Sequence, residues 1–126
     1  MTTQARILII DDDTSTLEII VKVLETAGFE GIVENDCRLS FLQKNILPDL
    51  ILLDNNLGEI TGCELCKQIK KMDHVKHIPI ILISAMEDIP RFAVEACADG
   101  FLMKPFGIQP LLEKIKQLLP EKVNAQ

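Results

Sequence analysis

The stretch PDLILLDNNLGEITG, residues 48–62, decides the fold. Leu50, Ile51, Leu52 and Leu53 form an unbroken apolar run, the pattern of a short strand buried on both faces of a parallel sheet. Leu57 reads as a further core position. Between them stand Asp54 and two asparagines, Asn55 and Asn56. An apolar run that ends in a carboxylate needs a reason, and the rest of the chain supplies one.

Working outward, RILII (6–10) and IPIILIS (78–84) repeat the buried-strand pattern of 49–53, and EGIVE (30–34) and GFLMK (100–104) give weaker versions of it. Helix-period segments fall between them. Over 14–28, Leu17, Ile20, Val21, Leu24 and Ala27 share one face, Ser15 and Glu18 read as a capping box, and Gly28 is the stop. Shorter helices are expected over 37–46, 62–72 and 91–98, with Pro90 suited to the first turn of the last. The closing helix, 108–119, sets Ile108, Leu111, Leu112, Ile115, Leu118 and Leu119 on one face and ends at Pro120. The domain spans 5–119, and 120–126 reads as a frayed tail or the start of a linker. Five strand–helix units in alternation predict an α/β fold, a doubly wound parallel sheet with helices on both faces.

Composition narrows the function. The chain has 126 residues, one domain's worth, and 48% hydrophobic residues argue against disorder. A net charge of −6 without a basic patch disfavours direct binding to nucleic acid or to an anionic membrane. The N-terminus does not read as a signal peptide, and no run of apolar residues is long enough for a span. Cysteines at 37, 63, 66 and 97 are therefore read as reduced thiols of a cytoplasmic protein. Cys63 and Cys66 form a C-x-x-C, but the motif lies inside a helical pattern with Leu65 and Ile69 beside it, so packing is the better reading than redox chemistry or zinc. His74 and His77 read as loop residues away from the acids.

In open α/β sheets ligands bind outside the carboxyl ends of the strands. Asp11 and Asp12 follow the first strand, Asp54 the third, Ser84 ends the fourth and Lys104 the fifth, so all five should converge on one edge. Clustered carboxylates raise one another's pKa unless a cation sits among them. A hard cation such as Mg²⁺ takes oxygen ligands of this kind and keeps room for phosphate. Lys104 adds a point charge suited to phosphate, and Ser84 a hydroxyl donor. An aspartate so placed can attack phosphorus and become an aspartyl phosphate. Asp13 reads as a helix cap or a solvated charge.

The motifs ILIIDDD, PDLILLDNNLGEITG, IPIILISA and FLMKPF, in this order and spacing, resemble the receiver domain of two-component response regulators, the CheY-like superfamily. The resemblance covers roughly residues 5–119. It implies a flavodoxin-like (β/α)5 fold with strand order 2-1-3-4-5. It implies that Asp54 is the phospho-acceptor, that Asp12 binds Mg²⁺ directly and Asp11 largely through water, and that Asn56 gives the metal its backbone carbonyl. Ser84 would be the switch hydroxyl, Lys104 the partner of a phosphoryl oxygen, Phe101 the aromatic switch position, and Lys104–Pro105 a cis peptide. The implied partners are a sensor histidine kinase or a histidine phosphotransfer protein. A downstream protein would be met by the face of the fourth helix (91–98), fifth strand (100–104) and fifth helix (108–119). A monomer or a weak phosphorylation-dependent dimer is implied, with a protein that catalyses its own phosphorylation and dephosphorylation rather than turning over an external substrate. The chain departs from the common pattern at Gly58, where proline is usual, at Ser84 for the commoner threonine, and at Phe101 for the commoner tyrosine.

Two other functions compete. A phosphatase or phosphotransferase of another α/β class would carry an aspartate two residues beyond the nucleophile, where this chain has Asn56, although Asp11 and Asp13 form a D-x-D after the first strand. A pseudo-receiver would be a protein-binding module that works without phosphorylation. The Met start reads as a natural N-terminus, and the chain as either a stand-alone receiver or a fragment of a larger regulator.

Overall fold

Strands too apolar for a one-sided sheet must be covered on both faces, and here they are. The computed structural model describes residues 4–34, 47–87 and 89–119. Its elements run β1 (Arg6–Ile10), α1 (Thr14–Thr26), β2 (Glu30–Glu34), β3 (Leu50–Asp54), α2 (Gly62–Lys70), β4 (Ile80–Ser84), α3 (Ile89–Glu95), β5 (Gly100–Met103) and α4 (Ile108–Leu118). The helix expected over 37–46, Cys37 and the tail 120–126 lie outside the described residues. The strands form one sheet in the order β2-β1-β3-β4-β5, every pair parallel, as the resemblance implied.

Successive side chains along each strand point to opposite faces, which divides the core in two. Ile7, Ile9, Leu50, Leu52, Ile81 and Ile83 pack with Leu17, Ile20 and Leu24 of α1 and with Leu111 and Ile115 of α4. Leu8, Ile10, Ile51, Leu53, Ile80 and Leu82 pack with Leu65, Cys66 and Ile69 of α2 and with Ile89 and Ala93 of α3. Each such aliphatic side chain contributes about 1.5–3 kcal/mol when fully buried. All five residues of β3, Asp54 included, are buried. In register, Ile10 lies beside Leu53, Asp54 beside Ile83 and Ser84 beside Met103, so the carboxyl ends of the central strands finish nearly level. Because β1 is flanked by β2 on one side and β3 on the other, the chain reverses direction across the sheet at β1/β3. That switch point is where a crevice opens.

Several boundaries differ from the sequence reading, each for a local reason. The capping box assigned to Ser15 and Glu18 is not the cap of α1. Asp13 is, its carboxylate accepting from Ser15 N at 3.1 Å and from Thr16 Oγ1 at 2.9 Å. The Thr16 hydrogen bond is also the main reason the Asp13 carboxyl lies below its usual range. The helix placed over 91–98 begins at Ile89 and ends at Glu95. Cys97 takes a left-handed φ of +61°, with Cys97 N donating to Val94 O and Ala98 N to Ala93 O, a Schellman stop. Glycine is the usual residue there and cysteine gives no warning of it. The strand placed over 78–84 starts at Ile80, and Ile108, assigned to the buried face of the last helix, is 57% exposed. As the first residue of α4 it lies outside the seam formed by Leu111, Ile115 and Leu119.

At the amino end of the sheet the Asp99 carboxylate accepts from Lys70 Nζ at 2.7 Å and from Ile80 N at 2.8 Å, and Lys70 Nζ also donates to Ile78 O at 2.9 Å. This clamp ties α2 to β4 and β5 at the end away from the acids. Cys66 is fully buried and burial pushes its thiol up to about 12, while burial also raises the half-buried Cys63. Both are free, and thiols raised in this way are poor nucleophiles. Among the described residues no helix is long and apolar enough to cross a membrane.

Candidate functional site

A cleft of about 450 Å³ opens at the carboxyl ends of β1, β3, β4 and β5. Its walls include Asp11, Asp12, Asp13, Asp54, Asn55, Asn56, Thr61, Ser84, Met86 and Lys104. Each strand delivers its residue by ending there, so the residues picked out at separate strand ends share one cavity. Phe101 is not part of the wall. It sits mid-strand on β5, 37% exposed.

Asp54, the last residue of β3, is 6% exposed and fully partnered. One carboxylate oxygen accepts from Asn56 N at 2.9 Å, and the other accepts from Lys104 Nζ, also at 2.9 Å. Lys104 follows β5, its backbone N donates to Ser84 O at 2.8 Å, and the Lys104–Pro105 peptide is cis. Its ammonium is also 4.0 Å from Asp11 Oδ2. Burial works against the Lys104 charge, but the Asp54 hydrogen bond and the Asp54 and Asp11 charges outweigh it, and the net shift is upward. The ion pair therefore stabilises the fold at neutral pH and fades only as the alkaline range above the ordinary lysine pKa is crossed.

Asp11 is 3% exposed, and its Oδ1 accepts from Asp13 N at 2.9 Å. Burial pushes its carboxyl up to about 6, the neighbouring Asp54 carboxyl adds to the rise, and the Asp13 N–H and Lys104 oppose it. Ionised Asp11 thus costs stability. A carboxyl whose folded pKa is raised adds stability that is complete below the unfolded value near 3.8 and is lost as pH rises through about 6. Asp11→Asn, which keeps the Oδ1 acceptor, should raise the unfolding free energy at pH 7.5 without divalent cation by about 1–3 kcal/mol. The gain should vanish near pH 4, as thermal melts at the two pH values would record.

Among the described residues no three His, Cys, Asp or Glu side chains form a closed metal cage. Mg²⁺ does not require one, since it is typically held by one or two carboxylates, keeps several waters and leaves room for phosphate. Asp11 and Asp54, with Asp12 at the rim of the same cleft, fit that pattern. Burial is the main cause of the raised Asp11 carboxyl and the facing Asp54 carboxyl adds to it, so a cation held between them would draw it down.

The loop from Asn56 to Thr61 closes through an antiparallel bridge between those two residues. Within it Gly58 takes φ +86°, which a proline ring, fixed near −65°, cannot adopt. Glycine here, where the resemblance leads to an expectation of proline, gives the loop a conformation that proline excludes. Ser84 is buried at the end of β4 and its Oγ accepts from Met86 N at 3.0 Å.

The sequence reading passed over two residues here. Thr61 caps α2, its Oγ1 accepting from Glu64 N at 3.1 Å, and the T-x-x-E spacing is a legible capping signal. Asn55 is buried and bound on every side, as described below. No spacing rule announces it.

The sequence model of the family described as "Response regulator receiver domain" matches residues 7–116. The chain is 36% identical over 116 residues to the phosphate regulon transcriptional regulatory protein PhoB of Pseudomonas aeruginosa, covering 90% of this chain and 51% of PhoB. It is 30% identical over 117 residues to the polar-differentiation response regulator DivK of Brucella anthropi, covering 90% of this chain and 94% of DivK. The chain thus spans about half the length of PhoB and of several other regulators it matches, and nearly all of DivK. Among solved structures, a putative response regulator from Chloroflexus aurantiacus superimposes with a TM-score of 0.84 at 33% identity, covering 92% of this chain and 98% of that one. The chemotaxis protein CheY4 of Vibrio cholerae gives 0.82 at 26% identity, covering 93% and 100%.

Proposed function

The chain belongs to the response regulator receiver family of two-component signalling, and from that premise we propose that it accepts a phosphoryl group on Asp54 from a partner phosphohistidine and signals by a change of conformation. The observation that carries the reading is the 2.9 Å pairing of Asp54 with Lys104 in a cleft that also holds Asp11, Asp12 and Ser84.

In the transfer, an Asp54 carboxylate oxygen attacks phosphorus. The new O–P bond forms as the P–N bond to the donor imidazole breaks, and the electron pair leaves on the ring nitrogen. Asn56 N holds one carboxylate oxygen in place, so the nucleophile does not have to be ordered at the moment of reaction. Lys104 moves from the carboxylate to a phosphoryl oxygen, where charge builds up. Asp11, Asp12, Asp54 and the Asn56 carbonyl would hold Mg²⁺. Neutralising charge on the phosphoryl oxygens is the chemistry that the ion supplies when bound. Water later attacks phosphorus, the O–P bond breaks and the free carboxylate returns.

Output follows from Ser84. Its hydroxyl accepts from Met86 N and has no acceptor of its own among the described residues, and turning that donor to the phosphoryl group draws the loop after β4 inward. The face of α3, β5 and α4 then presents a different surface to a downstream protein, with Phe101 following the loop. A sensor histidine kinase or a histidine phosphotransfer protein is the donor, and the setting is cytoplasmic. The domain corresponds to residues 5–119.

The test is chemical. Acetyl phosphate with Mg²⁺ should label the chain, and the label should be removed both by neutral hydroxylamine, which spares phosphoesters, and by alkali, which spares phosphohistidine. A hydroxylamine-stable label would contradict the aspartyl phosphate. A chain inert to acetyl phosphate and to beryllofluoride would instead fit a pseudo-receiver.

A further inference from the structure

Asn55 follows the acceptor and is bonded through four of its groups. Its backbone N donates to Ile83 O at 2.8 Å, and its backbone O accepts from Gly62 N at 2.9 Å. Its side-chain Oδ1 accepts from Cys63 N at 3.0 Å, and its Nδ2 donates to the Met86 thioether at 3.6 Å. The residue is 7% exposed, whereas Met86 is 43% exposed. Asn55 and Met86 line both the acid cleft and a second cavity of about 330 Å³ between α2 and α3, so their contact lies on the boundary between the two.

We propose that Asn55 is a positioning residue that holds the loop after β4 in its resting place through a releasable bond to the Met86 sulfur. The proposal rests on the receiver reading. Three of the four bonds fix Asn55 to backbone that has no need to move: β4 and the first turn of α2. The fourth reaches the loop that carries the switch hydroxyl. Met86 N is bonded to Ser84 Oγ, so a displacement of Ser84 toward the phosphoryl group displaces Met86 as well and breaks the Asn55–Met86 bond. A thioether is a weak acceptor. A buried amide given that partner is held well enough to define a resting state and loosely enough to let go. The amide thereby biases the switch against the activated arrangement, and removing the bias should favour that arrangement by roughly two- to tenfold, the worth of one neutral hydrogen bond.

Substitutions at the exposed partner test this without threatening the fold. Met86→Leu keeps the volume and removes the acceptor, whereas Met86→Gln offers an amide oxygen, a better acceptor than sulfur. The readout is the Kd for beryllofluoride with saturating Mg²⁺, which stabilises the activated arrangement and is insensitive to hydrolysis. Leucine should tighten binding roughly two- to tenfold and glutamine should weaken it. In an Asn55→Ala background the two variants should bind alike. A role for Met86 in mere size or packing would move both variants in the same direction. Equal shifts, or no shift beyond twofold, would overturn the proposal while leaving the receiver reading intact. A parent chain that binds no beryllofluoride would overturn the receiver reading first and this proposal with it.

Discussion

Lys104→Met should lower the rate of phosphorylation by acetyl phosphate at least a hundredfold while the chain stays folded. The substitution keeps most of the side-chain length and removes the charge. Lys104 is the only cation of the described residues that lines the acid cleft, and it already pairs with a carboxylate oxygen of Asp54, the proposed acceptor. Deleting one preorganised donor from a site of developing negative charge costs roughly 10²–10³-fold in rate. Excess Mg²⁺ should not restore the loss, because an ion held by the carboxylates would not replace the ammonium beside Asp54. The variant also leaves Asp54 without its side-chain partner, and Asp11 without the cation that draws its carboxyl down. Stability of the ion-free variant should therefore fall more steeply than that of the parent as pH rises through about 6, because Asp11 must then ionise without that cation. Single-turnover phosphorylation and pH-dependent melts measure the two effects separately. A variant phosphorylated within tenfold of the parent would place the lysine outside the reaction.

Gly62→Ala carries the second large effect, and its sign separates two physical arguments. Gly62 is the first residue of α2, and helix propensity alone favours alanine there by up to about 1 kcal/mol. The packing says the reverse. A Cβ at Gly62 would run into the backbone carbonyl oxygen of Asp54 and stand 2.8 Å from Asn55 Cα. Both obstacles are backbone, so no side-chain rotation relieves them, and either α2 or the end of β3 must shift. Overpacking of this kind costs about 1–3 kcal/mol or more, which lowers Tm on the order of 10 °C in a domain of this size. Because the displaced group is Asp54, the proposed acceptor, phosphorylation should slow as well. Denaturant melts that show Gly62→Ala as stable as the parent would mean that α2 and β3 do not approach as closely as described.

The fold was legible wherever a single physical signal dominated. Continuous Leu and Ile runs admit few readings, and the three strongest of them became the central strands of the sheet. Cleft residues were legible because strands that end at one edge bring their next residues together, whatever lies between in sequence. Less legible were features decided by competition among neighbours. The sequence offered both Asp13 and Ser15 as caps of α1, and Asp13 takes the place because its carboxylate accepts from two donors at once. Cys97 adopts a left-handed backbone that its side chain does not advertise, so the preceding helix ends earlier than its apolar pattern suggests. Asn55 escaped notice for a different reason. Its importance lies in partners from β4, α2 and the following loop, and no local window of sequence contains them all.

The most direct test of the central claim is the intact mass of the chain and of Asp54→Asn after incubation with acetyl phosphate, with and without Mg²⁺. A gain of about 80 Da, one phosphoryl group, is expected only for the parent chain and only when Mg²⁺ is present. An adduct of the same mass on Asp54→Asn, or one that forms equally well without the ion, would contradict Asp54 as the acceptor and the acid cleft as the place where the reaction occurs.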